Sequence, residues 1–117
     1  TKRNLHSEEI YQSIVTAGQE VSAFGDGGDG ADSNNVLADD NWVIKCLSKE
    51  DGQPFYGGDI FALIHENTDK RLKMSRYYEY SWNNWEECPC QGQIEISAVE
   101  RPTRETEFRI VGGVFFK

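Results

Sequence analysis

No apolar run in this 117-residue chain is long enough to cross a membrane as a helix. Positive charge is also scarce, with 12 Lys and Arg against 20 Asp and Glu and a formal net charge of -8. Such a chain repels phosphate backbones, and the sequence shows no basic patch, so nucleic acid is excluded as the expected partner. There are only three cysteines, an odd number, so at least one is free or has its partner outside these 117 residues. Cys88-Pro89-Cys90 has no neighbouring histidine and falls short of the four ligands of a structural zinc site. A bridge from Cys46 to Cys88 or Cys90 is expected in an oxidising compartment. His6 and His65 are the only histidines. The side chains of His6, Ser7 and Glu8 point different ways as sequence neighbours, and no nucleophile elbow surrounds the serine, so no catalytic residue is expected. These 117 residues carry no signal-peptide pattern, Asn-x-Ser/Thr sequon or retention tetrapeptide, which excludes nothing, because a trimmed chain would lack such terminal addresses too.

Glycine is plentiful by contrast, and Val21 to Asn35, VSAFGDGGDGADSNN, satisfies two patterns at once. Gly25, Gly27 and Gly30 fit a dinucleotide fingerprint, while Gly27, Gly28, Gly30 and Asp32 fit the start of a calcium-binding repeat. No helix is expected after Gly30, and Asp26, Asp29 and Asp32 would repel a pyrophosphate. The calcium pattern occurs once and has Asn34 where a large apolar residue belongs, and Gly28 stands at an EF-hand ligand position. A solvated hairpin excursion without metal or cofactor is expected.

The ordered segments alternate. Ile94, Ile96 and Ala98 share one face, as do Val21 and Ala23, and Trp42-Val43-Ile44 and Phe108-Arg109-Ile110 repeat the pattern. Ile60-Phe61-Ala62-Leu63-Ile64 suits a buried strand. Ile94, Ile96, Ala98, Trp42, Ile44 and Ile110 are expected to point inward. His65 should end its strand before the Asn67-Thr68-Asp69 turn in a structural role. Ser7 to Val15 fits either a helix of two turns, capped by Ser7 and stopped by Gly18, or an irregular loop. Laid on itself, the chain matches in order: Thr1 to Leu5 with Thr68 to Leu72, Glu20 to Ala23 with Glu95 to Ala98, and Trp42 to Ile44 with Phe108 to Ile110. Units of strand and loop, each too small to bury its own apolar face, point to an all-β closed architecture assembled from repeats.

Leu5-His6-Ser7, Gln19 to Gly25, Asp39-Asp40-Asn41-Trp42 and His65-Glu66-Asn67-Thr68 resemble the MIR domain, in particular its stromal-cell-derived-factor-two-like branch. The resemblance spans nearly the whole chain and implies a β-trefoil of three repeats. Residues 1–47 correspond to part of the second repeat and 53–117 to the third, with the N-terminal repeat absent. The family's Leu-His-Ser-His run has Glu8 in place of its second histidine. The resemblance further implies a non-catalytic protein of the endoplasmic reticulum lumen, or secreted, that associates with lumenal Hsp70 and J-domain chaperones or unfolded polypeptides in quality control. The alternative is the carbohydrate-binding MIR module of a protein O-mannosyltransferase, taking mannose-type glycans. The end of the chain at Phe116-Lys117, where that branch also finishes, favours the first.

Arg76 to Trp85 supplies the candidate contact, an aromatic loop expected from Tyr77 to Trp85. Tyr77, Tyr78, Tyr80, Trp82 and Trp85, mixed with Asn, Ser and Glu, fit either a stacking surface for sugars or peptides or the closure of one end of the barrel. His6 and Ser7 join them through the family resemblance.

Overall fold

The computed structural model describes residues 3–24, 38–81, 86–87 and 89–112. Seven strands form one antiparallel sheet, and no α-helix occurs among the described residues: β1 (Asn4–Gln12), β2 (Gln19–Phe24), β3 (Trp42–Cys46), β4 (Ile60–His65), β5 (Arg71–Glu79), β6 (Ile94–Val99) and β7 (Phe108–Arg109). The spatial order is β1-β2-β6-β5-β4-β3, with β7 also paired to β4. Two strands, a 3₁₀ turn and a further strand occur twice: β1, β2, Ala38–Asp40, β3, and then β5, β6, Arg104–Thr106, β7. The sheet curls until its outer strands meet. The Trp42 indole on β3 donates to the Leu5 carbonyl on β1 at 3.0 Å, and Asn4 donates to Asp40 at 3.0 Å.

The cross-strand pairs Leu5–Ala23, Gln19–Ala98, Leu72–Ala98, Met74–Ile96 and Ile44–Leu63 put the alternating apolar residues on a common face. That face is only half covered, because Leu72 and Ala98 are buried while Ile94 is 42% and Ile44 57% exposed. The expectation that Ile94 and Ile44 point into a core is thus corrected. Period-two alternation identifies a face but carries no information about what packs on it.

Behind this face the burial is polar. Glu95 on β6 is fully enclosed, and its carboxylate accepts the backbone N–H of Val15 at 2.5 Å, the N–H of Thr16 at 3.1 Å and the Thr16 hydroxyl at 2.5 Å. This anchors the β1–β2 turn. Gly18 lets the turn lie close, since a Cβ there would stand 3.1 Å from the Ser97 hydroxyl.

Three further expectations are revised. Asn4–Gln12 is a strand, so the helical option over Ser7 to Val15 is overturned: pairing with β2 outweighs a two-turn apolar stripe. Tyr77 and Tyr78 belong to β5 rather than to a loop. Cys46 is a free thiol whereas Cys90 is disulfide-bonded, so the bridge to Cys46 is overturned: β3 holds Cys46 in register with Phe61 on β4. The glycine-rich stretch from Gly25 to Asp32 lies outside the described residues.

Candidate functional site

Two adjoining cavities run along β2. One, of about 340 Å³, is lined mainly by Leu5, Val21, Ala23 and Ile96, with Arg3 and Asn4 at its rim. The other, of about 200 Å³, is lined by Ile14, Glu20, Val21, Tyr80 and Ile96. Val21, Ser22 and Ile96 line both, and the two cavities together are called the β2 groove. Tyr80 lines the smaller of them. Burial, and then the negative charges of Glu95 and Glu20, push its phenol above the ordinary value, which keeps the hydroxyl protonated and able to donate. The preceding Tyr77 and Tyr78 stand out from β5, 83% and 53% exposed. Trp82 and Trp85 lie outside the described residues.

His6 and Ser7 are enclosed instead. The Ser7 hydroxyl donates to the Glu20 carbonyl at 2.7 Å and accepts from the Gln19 amide at 2.7 Å, so it ties β1 to β2. The His6 Nδ1 lies 2.6 Å from Asp40 and its Nε2 2.8 Å from Glu8, with the ring stacked on Phe24 at 4.5 Å. Asp40 belongs to the 3₁₀ turn that leads into β3, so His6 is the clasp between the two outer strands. Burial of the ring opposes its charge, and the hydrogen bonds to Asp40 and Glu8 outweigh that burial, raising its pKa above 6.5. Glu8 thus supplies an acceptor that fixes the imidazolium. One ring nitrogen of His6 and carboxylate oxygens of Glu8 and Asp39 lie within 4.8 Å of one another. Both ring nitrogens are already committed to carboxylates, so the arrangement suits a protonated ring.

The clasp makes stability depend on pH. A folded-state pKa above the unfolded value means that the stabilisation is complete below the ordinary value of 6.5 and is lost as pH rises through the raised pKa. Urea midpoints are therefore expected to fall across that interval. His6→Asn should be less stable at low pH and should lack this part of the slope; an unchanged slope would show that the clasp contributes nothing.

His65 has the structural role expected of it. It ends β4 fully buried, its Nδ1 lies 2.7 Å from the Thr68 hydroxyl and its Nε2 2.8 Å from the Asp39 carbonyl. The Trp42 ring lies 4.9 Å from it. Sequence reasoning missed Glu95 and Asp40. Glu95 sits at a position that alternation assigns to solvent, and Asp40 was visible only as part of the Asp39-Asp40-Asn41-Trp42 run.

The chain is 31% identical over 116 residues to a stromal cell-derived factor 2-like protein of Dictyostelium discoideum, an alignment covering 99% of this chain and 47% of that protein. It is a homologue of the stromal cell-derived factor 2-like proteins. Stromal cell-derived factor 2 of Mus musculus is 29% identical over 119 residues, covering 100% of this chain and 47% of that protein. The chain thus spans about half the length of the curated relatives it matches. The crystal structure of the SDF2-like protein from Arabidopsis thaliana superimposes with a TM-score of 0.76 at 22% identity, over 99% of this chain and 55% of that one. The curled sheet is therefore β-trefoil-like, as the MIR resemblance implies. No family model matches the chain.

Proposed function

We propose that this stromal cell-derived factor 2-like chain is part of a non-catalytic MIR-domain protein of the endoplasmic reticulum lumen, acting with lumenal Hsp70 and J-domain chaperones in protein quality control. The homology across the whole chain carries this reading. In it, residues 1–47 are part of the second repeat and 53–117 are the third, and the half-covered apolar face receives the first. The β2 groove and the exposed Tyr77 and Tyr78 are the polypeptide contact: apolar walls take side chains, and the Glu20 carboxylate takes backbone N–H groups or positive charge. His6 and Ser7 shape this surface from within.

The test is capture of a lumenal J-domain protein, beside a panel of mannose-type glycans, by wild type and by Tyr77→Ala with Tyr78→Ala. Aromatic anchors contribute about 2 kcal/mol each at protein contacts, so the double variant should weaken capture by roughly a factor of hundreds. Both rings are exposed, and the melting temperature should hold. Glycan retention without J-domain capture would replace this reading with the lectin one, which the exposure of Tyr77 favours.

A further inference from the structure

Arginine converges where the sequence suggested no basic patch. Arg76 of β5, Arg104 of the second 3₁₀ turn and Arg109 of β7 line one cavity of about 200 Å³, with Ile60 and Phe108 as its apolar walls. All three residues are exposed. Among the described residues, none of their guanidinium groups is engaged in an ion pair or hydrogen bond. Glu107 also lines the cavity, and Glu105 stands beside it, its carboxylate accepting the backbone N–H of Arg76. Three cations held together repel one another, and neither Glu105 nor Glu107 forms an ion pair with any of them among the described residues.

The fold does not require them. Aligning the two recurring units element by element sets Arg76 against Glu9, Arg104 against Ala38 and Arg109 against Val43. The basic cavity belongs to one unit alone.

The cavity is also rigidly built. Thr103 caps the 3₁₀ turn reciprocally with Thr106, which is itself buried, so the backbone of Arg104 is fixed. The Glu105 carboxylate, bound to the Arg76 N–H, ties that turn to β5. Arg109 is paired with Ile60, and the neighbouring Phe108 packs on Phe61 with ring centroids 5.9 Å apart.

We propose that this cavity binds a tetrahedral oxyanion, the phosphate or sulfate ester of a small ligand. Guanidinium forks match two oxygens of such a group at a time, and three of them exceed by one charge what the neighbouring Glu105 and Glu107 carboxylates neutralise. The volume lies below the range of about 300–1,000 Å³ that encloses a drug-sized molecule, so the charged group enters while the rest of the ligand stays outside. This site is separate from the β2 groove and stands or falls without it.

The experiment titrates the protein with glucose 6-phosphate and with glucose 6-sulfate, glucose serving as the uncharged control, and follows the backbone amide resonances of Arg104, Thr106, Phe108 and Arg109. Saturable shifts are expected with at least one ester and none with glucose. Arg104→Gln and Arg109→Gln should each weaken binding by about tenfold, because each removes charge-assisted hydrogen bonds. Arg101→Gln, exposed but outside the cavity, should leave binding unchanged. Added salt should weaken it as well. Saturation by the phosphate ester alone, or by the sulfate ester alone, supports the proposal and names the anion. Absence of saturable shifts, equal shifts with glucose, or full affinity in both cavity variants overturns it.

Discussion

Glu95→Ala should lower the stability of the fold by about 4 kcal/mol, because it strands three donors behind the sheet. The N–H groups of Val15 and Thr16 and the Thr16 hydroxyl all end on this carboxylate, in a place water does not reach. A loss of that size is a large share of a domain's total stability, and the urea midpoint should fall to match. Glu95→Gln should fall between, since its amide keeps one acceptor oxygen but turns an NH2 group toward the donors. A shift for Glu95→Ala as small as that of a surface substitution would show that the turn draws its order from elsewhere.

His65→Ala should cost about 3 kcal/mol, the sum of a lost buried ring and two lost hydrogen bonds. The Thr68 hydroxyl and the Asp39 carbonyl would lose their partner, and Trp42 a neighbouring ring. Tryptophan emission should shift to the red in the folded variant, together with a lower melting temperature. Unchanged emission would mean that Trp42 is held by its bond to Leu5 alone.

Strands β2, β3, β4 and β6 were legible because each carries an apolar face or run that needs no distant partner to be seen. β1 was not, since Ile10 and Ile14 also fit a short helix and only pairing with β2 decides between them. The second half of β5 reads as an aromatic loop, because Tyr77 and Tyr78 lead into Tyr80 and the tryptophans without an apolar–polar alternation. The short His6-Ser7 motif was legible by resemblance, but its placement inside the fold depends on Asp40 and Glu20, residues far along the chain. The basic cavity was invisible for the same reason, since three separated arginines meet only after β5, the 3₁₀ turn and β7 have assembled.

The join between the two recurring units sets the pace of folding. β2 and β6 come from opposite halves of the chain and pair only at Gln19–Ala98 and Glu20–Ser97. Hairpin partners such as β3 and β4 find each other locally, whereas this seam closes a long loop and loses the chain entropy before any bond there forms. The Glu95 carboxylate and the turn it holds lie beside that seam. They are the contacts in place to keep it shut once β2 and β6 have met, so this seam is held by a few residues, whereas β3 and β4 pair at five positions.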